Sequence, residues 1–225
     1  PSGEDLIRQL QNDGTLQDAV IDCLQAAAHE YRTPQQRVFL QAATFGKSFD
    51  PTFDSDLFVD VCRRLRVMNA LRRFDVGIPL TYTEYDLVSV DGVLKRLMTR
   101  HMHKLALDIC AHLNVSKDVV VVHWACEKIK NATVETDQEL CDLILRRLAA
   151  VRQVSFADIA SSAVAAGRRD LAVMLLDHEP SAVKQVELLL QMRSADLALA
   201  KAVASTDVNL MYTVVSGMLS RLYLA

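Results

Sequence analysis

A start signal returns along the whole length of this chain, followed each time by apolar residues at helical spacing and then a short polar break. "TLQD" (Thr15, Asp18), "TYTE" (Thr81, Glu84), "TDQE" (Thr136, Glu139) and "SFAD" (Ser155, Asp158) each place a hydroxyl three residues before an acid. That spacing closes a helix N-terminus from both sides. The hydroxyl accepts from an otherwise unpaired amide, and the acid reaches back to the capping residue's own N–H. "TPQQRVFLQA" offers the same with Thr33 as cap, Pro34 in the first turn and Gln36 completing the box. A chain punctuated this way folds as many short helices.

The helix bodies agree with the starts. Phe58, Val61, Leu65 and Met68 share one face, as do Leu140, Leu143, Ile144 and Leu148, and again Val208, Met211, Val215, Met218 and Leu222. "VVVVHWACEK" has the β-branched content of a strand, but Val119, Val122, Cys126 and Ile129 keep a three-and-four spacing after the cap candidate Ser116, which predicts a helix. With 7 glycines and 5 prolines in 225 residues, and abundant alanine and leucine, little resists helix formation. The map holds about thirteen helices joined by breaks of a few residues, the connection length of antiparallel neighbours. "LALDICAHL", "LAVMLLDHE" and "LALAKAVAS" each open a helix with leucine and alanine, and Ala106, Ala172 or Ala198 there lets a neighbouring helix approach closely. The repeat is irregular in length. The expected fold is all-α, an irregular α-solenoid of stacked antiparallel helix hairpins spanning 1–225.

Several classes of function fit poorly. No segment has the roughly 18–20 consecutive apolar residues that cross a bilayer, and no leader opens the chain, so the reading is cytoplasmic. The five cysteines, Cys23, Cys62, Cys110, Cys126 and Cys141, are odd in number and lie in apolar helical patterns, as reduced core residues do. The sequons at Asn114 and Asn131 are then unused. The chain begins at Pro1 and stops within "MLSRLYLA", which reads as a fragment of something longer.

Chemistry-bearing clusters are sparse. His101, His103, Cys110 and His112 are spaced around a helix rather than along one face, unlike an i, i+4 histidine pair for a metal. His123, Trp124 and Cys126 resemble a base beside a nucleophile, but neighbouring helical positions diverge by about 100° and cannot bond across the turn. Asp54, Asp56 and Asp60 begin a helix, where they complement its dipole. There is no glycine-rich phosphate loop. Neither an enzyme nor a cofactor is expected. Arg63, Arg64, Arg66, Arg72, Arg73, Lys95, Arg96 and Arg100 form a basic stretch that would suit a helical-repeat RNA binder. The interleaved acids Asp60, Asp75, Glu84, Asp86 and Asp91, and a net charge of −3, argue against nucleic acid.

Five long motifs carry a resemblance: "AATFGKSF", "CRRLRVMNALRRFDVGIPLTYTEY", "VVHWACEKI", "SFADIASSAVAAGRRDLAVMLLDHEP" and "VELLLQMRSADLALAKAVASTDVNLMYTVV". In order, from about Ala27 to Val215, they resemble the C-terminal α-solenoid region of the vacuolar protein sorting 16 family, a subunit of the HOPS and CORVET tethering complexes. The match departs where His178 precedes Glu179 in place of an acidic pattern, and the family's β-propeller and later solenoid are not covered.

The resemblance implies a non-enzymatic scaffold that recruits the Sec/Munc-family protein vacuolar protein sorting 33 for SNARE-mediated fusion. It further implies other HOPS and CORVET subunits as partners, and a peripheral place on endosome and lysosome or vacuole membranes. The implied docking segment is 155–218. From Val151 onward basic and acidic residues balance, as on a protein-docking surface. Apolar residues on more than one face of "RRDLAVMLLDHE" and "VELLLQMR" predict that Ala172, Leu176, Glu179, Leu189, Met192 and Arg193 meet the partner, with Arg168 and Arg169 at the rim. A helix in the middle of a stack packs on both sides, so surplus apolar faces also arise with no partner at all.

Overall fold

The computed structural model describes residues 3–149, 151 and 154–223, and the described residues contain helices and no strand. In chain order these are α1 (Gly3–Asn12), α2 (Leu16–His29), α3 (Thr33–Lys47), α4 (Ser55–Arg72), α5 (Tyr82–Thr99), α6 (His103–Leu113) and α7 (Asp118–Asn131). They continue with α8 (Asp137–Leu148), α9 (Phe156–Ala165), α10 (Arg169–Leu176), α11 (Ala182–Gln191), α12 (Ala195–Ala204) and α13 (Val208–Tyr223). The fold is all-α, an irregular solenoid of antiparallel hairpins. The chain forms two compact units, Pro1–Arg96 and Leu97–Ala225.

In the first unit α2 and α3 form a tight hairpin, with Ile7, Leu16, Val20, Leu24, Ala43 and Phe53 as its core. The close approach depends on Gly46, where an added Cβ would stand 2.7 Å from Val20 Cγ2. Two capping expectations fail here. Thr15 makes no side-chain cap bond. Thr33 already lies inside α3, so Gln36 completes no box with it. Gln36 is instead buried, donating from Nε2 to the Glu30 carbonyl at 2.7 Å and accepting from Asn69 Nδ2 at 2.7 Å. Three arginines of the basic stretch are engaged locally. Arg64 pairs with Asp60 and Asp86, Arg73 with Asp75, and Arg72 donates to the carbonyls of Leu80 and Glu30 while stacking on Tyr31 at 4.0 Å. Guanidinium groups spent this way offer little to a phosphate backbone. Phe58, Val61, Leu65 and Met68 do share the inner face of α4. Within α5, Ser89 leaves helical geometry at φ 61° and ψ 167°, which kinks the helix.

The second unit has a large core running from α7 to α13, in which Ile129, Leu140, Ile144, Ile159, Leu171, Leu175, Leu176 and Leu189 are sealed from solvent. Its joints repeat one device. His101, Gly167 and Arg193 each occupy the left-handed region, with φ of 57°, 79° and 61°. Around each, one amide closes back on the carbonyl five residues earlier and the preceding amide on the carbonyl three earlier: Arg168 to Ala163 with Gly167 to Val164, and Ser194 to Leu189 with Arg193 to Leu190. This is the Schellman ending. Four residues after each left-handed residue comes the leucine of the repeat, and the next residue is Ala106, Ala172 or Ala198, fully buried in every case. The turn therefore sets the register that delivers an alanine to the helix contact.

Several predicted faces shift. "VVVVHWACEK" is helical as α7, but Val119 is exposed while Val120, Val121, Ala125 and Ile129 are buried, because α7 packs on α6, α8 and α9 and buries a wider arc. On α8, Leu143 turns outward. On α13 the buried residues are Leu210 and Val214, with Met211 and Met218 half-buried, and Val208 and Val215 face out. The side chain of Leu222 lies outside those described.

Candidate docking surface

The segment 155–218 runs from the α9 cap to α13. Its first expected cap is replaced: Ser155 makes no side-chain bond to α9, and its Oγ is buried with no partner among the described residues. The cap comes from the far end of the next helix. Glu179, just beyond α10, accepts the Ala157 amide on Oε2 at 2.9 Å and the Ser181 amide on Oε1 at 3.2 Å. Its backbone carbonyl accepts from Gln185 Nε2 at 2.6 Å, which also donates to the Leu176 carbonyl. One carboxylate thus serves the N-terminus of α9 and the turn into α11, where the helix dipoles favour negative charge.

Arg168 is a second internal clamp. Its guanidinium donates to the carbonyls of Ala132 and Glu135 and to Asp137 Oδ1 at 3.0 Å, holding the start of α10 to the end of α7 and the start of α8. The cap at Thr136 matches expectation: Thr136 Oγ1 accepts the Glu139 amide, and Glu139 accepts the Thr136 amide in return. Thr81 and Glu84 make the same box before α5.

These placements redraw the expected partner surface. Ala172, Leu176, Leu189 and Met192 are buried in the core among α8 to α12, because each middle helix has a hairpin on both sides. Glu179 is 5 % exposed and spent on amides. Arg168 is half-buried on carbonyls. Arg169, in the first turn of α10, and Arg193, at the α11–α12 turn, remain open to solvent.

What the segment does present outward is an apolar stripe that the outward-facing half of the sequence pattern contained. Val208, Tyr212, Val215 and Leu219 of α13 are 59, 72, 43 and 49 % exposed, and their spacing of four, three and four puts them on one face. Leu197 and Val203 of α12, the helix on which α13 packs, are exposed too. The stripe was legible as the apolar excess of "VNLMYTVVSGML"; only knowing which half α11 and α12 bury separates it from the core.

The histidines form a small cluster away from this surface. His103 Nε2 and His123 Nδ1 lie 2.9 Å apart, and His101 Nδ1 is 3.6 Å from Glu127 Oε2. Burial, and then the neighbouring His123, hold the His103 imidazole below its ordinary pKa. No set of three or more His, Cys, Asp or Glu among the described residues is arranged to hold a metal ion. Burial raises the Cys126 thiol, which is therefore a poor nucleophile, and all five cysteines are free.

Short helices with buried alanine contacts and left-handed joints define an all-α fold of stacked helical hairpins, with an apolar stripe left open on α13. The family model "Vps16, C-terminal region" matches residues 154–225, and "Vps16, N-terminal region" matches residues 2–60. The chain is 42% identical over 225 residues to the vacuolar protein sorting-associated protein 16 homolog of Dictyostelium discoideum, covering all of this chain and 27% of that protein. It is 40% identical over 201 residues to Protein VACUOLELESS1 of Arabidopsis thaliana, covering 89% of this chain and 23% of that protein. Against vacuolar protein sorting-associated protein 16 of Saccharomyces cerevisiae it is 30% identical over 202 residues, covering 87% and 25%. The chain belongs to the vacuolar protein sorting 16 family and spans about a quarter of the length of these relatives. It straddles both family models rather than lying within the C-terminal one alone.

Proposed function

We propose that this chain is a scaffold segment of a vacuolar and endosomal tethering complex, HOPS or CORVET, and that 155–218 docks the Sec/Munc-family protein vacuolar protein sorting 33. The relatives' names place those proteins in vacuolar sorting, and membership of their family supports the same role here. The segment performs no reaction of its own; it positions a partner that handles SNARE proteins at endosome, lysosome or vacuole membranes. No described helix is long and apolar enough to cross a bilayer. In this reading the chain reaches the membrane through the other subunits of the complex.

The observation that carries the docking reading is the α13 stripe, Val208, Tyr212, Val215 and Leu219, with the spacing of a helix that presents one face to a groove. Arg193, solvent-exposed at the turn into α12, stays in the proposed surface. Leu189 and Met192, at α11, against which α13 packs, support it from beneath, and Leu176 lies deeper in the same core. Co-expression of the chain with the Sec/Munc protein tests this. Tyr212→Asp and Val215→Asp should abolish co-purification while the helical melting curve stays in place, since both positions are exposed. Retention of the complex by both variants overturns the assignment of this face. Polyanion binding that falls steeply with salt would instead support a helical-repeat RNA binder.

A further inference from the structure

Between α7 and α8, well away in sequence from the α13 stripe, lies an open cleft of about 340 Å³ lined by Trp124, Leu143, Arg146 and Arg147. Its floor is apolar: the half-buried Trp124 ring and the outward-turned Leu143. Its walls are cationic. Arg147 lies over the Trp124 ring at 5.9 Å, and Arg146 Nε donates to the Asp142 carbonyl at 3.1 Å. Among the described residues no carboxylate approaches either guanidinium within 4 Å. Four acids on these two helices are engaged elsewhere: Asp142 accepts from Gln138, Glu127 pairs with Lys130, Asp137 pairs with Arg168, and Glu139 accepts from Thr136.

In the first unit Arg64 and Arg73 are matched by Asp60, Asp86 and Asp75. What sets the two arginines of this cleft apart from other exposed arginines is that they line one cavity together, beside the exposed apolar surface of Trp124 and Leu143. Arginine and tryptophan are also the side chains that most often anchor protein recognition. A ligand complementary to the cleft carries negative charge for the rim and one apolar or aromatic side chain for the floor.

We propose that the Trp124 cleft is a docking site for an acidic peptide segment of a partner protein, anchored by one large apolar side chain between Trp124 and Leu143 and held by carboxylates on Arg146 and Arg147. This goes beyond the Sec/Munc reading and does not depend on it.

Trp124 is the single tryptophan of the sequence, so its emission reports from the site itself. The probe is a tyrosine- and tryptophan-free peptide with glutamates flanking a central phenylalanine, titrated into the full chain. A saturable change in Trp124 emission is expected, weakening as salt rises and falling about five- to thirtyfold in affinity in Arg146→Glu/Arg147→Glu, at the roughly 1–2 kcal/mol expected for two half-exposed charge pairs. Melting of that variant should match the parent, because both side chains lie at the surface. Leu143→Ala, also at the surface, should weaken binding without changing its salt dependence. The proposal is overturned by no emission change, by an equal response to a lysine-for-glutamate peptide, or by a response unaffected by charge reversal. Charge-dependent binding of phosphatidylserine vesicles or oligouridine with no response to the peptide also overturns it.

Discussion

Arg193 occupies, at the α11–α12 joint, the same left-handed position that Gly167 occupies at the α9–α10 joint, with φ of 61° against 79° and the same pair of closing backbone bonds. Glycine adopts that geometry freely, whereas an arginine there carries the Cβ strain of the left-handed region.

Arg193→Gly should therefore raise the stability of the second unit by about 0.5–1 kcal/mol, the relieved strain being partly offset by the added freedom of the unfolded chain. Thermal unfolding followed by far-UV circular dichroism checks this. A lower midpoint would mean that the side chain makes contacts worth more than its strain.

Glu179→Gln keeps the shape of the side chain but removes the charge that the α9 terminus and the Ser181 amide share. The variant should lose about 1–2 kcal/mol, read as a lower denaturation midpoint with an unchanged slope. Partner binding, measured below that midpoint, should persist, because the carboxylate is turned inward.

Ala172→Asp places a carboxylate in a fully buried helix contact. The cost is several kcal/mol if the charge stays unpaired, so the second unit should melt far below the parent. Loss of a partner in that variant reports lost structure rather than lost contact. Ala172→Gly, which leaves the helix contact in place, should cost only about 1 kcal/mol.

Acid should weaken the fold through His103. Its folded-state pKa lies below the ordinary imidazole value, so the neutral ring is the form the structure favours. The stabilisation is full above about pH 6.5 and is lost as pH falls through the lower folded value. Burial of the ring is the first cause, and the second is the neighbouring His123, whose Nδ1 lies 2.9 Å from His103 Nε2. Melting midpoints of the parent and of His103→Asn, compared between pH 7.5 and 5.5, should show the smaller drop in the variant.

Local signals were the legible ones. Thr81 with Glu84 and Thr136 with Glu139 make their capping boxes within one turn, whereas Thr15 and Ser155, each paired at the same spacing with the shorter aspartate, make no side-chain cap. The α9 cap could not be read that way, since its acceptor, Glu179, comes from 22 residues downstream. Faces failed for a related reason. Val119 and Leu143 fit an inward stripe on paper, yet the arc a solenoid helix buries is set by neighbours on both sides. The same two-sided packing drew Leu176, Leu189 and Met192 into the core and left the opposite half of α13 open. The Trp124 cleft needed two helices side by side before the charge on Arg146 and Arg147 meant anything.

Arg168 has a mechanical consequence. A single guanidinium grips the end of α7, the start of α8 and the start of α10. Drawing any one of these helices out of the stack therefore also breaks its bond to this side chain, and tension on one is shared with the other two.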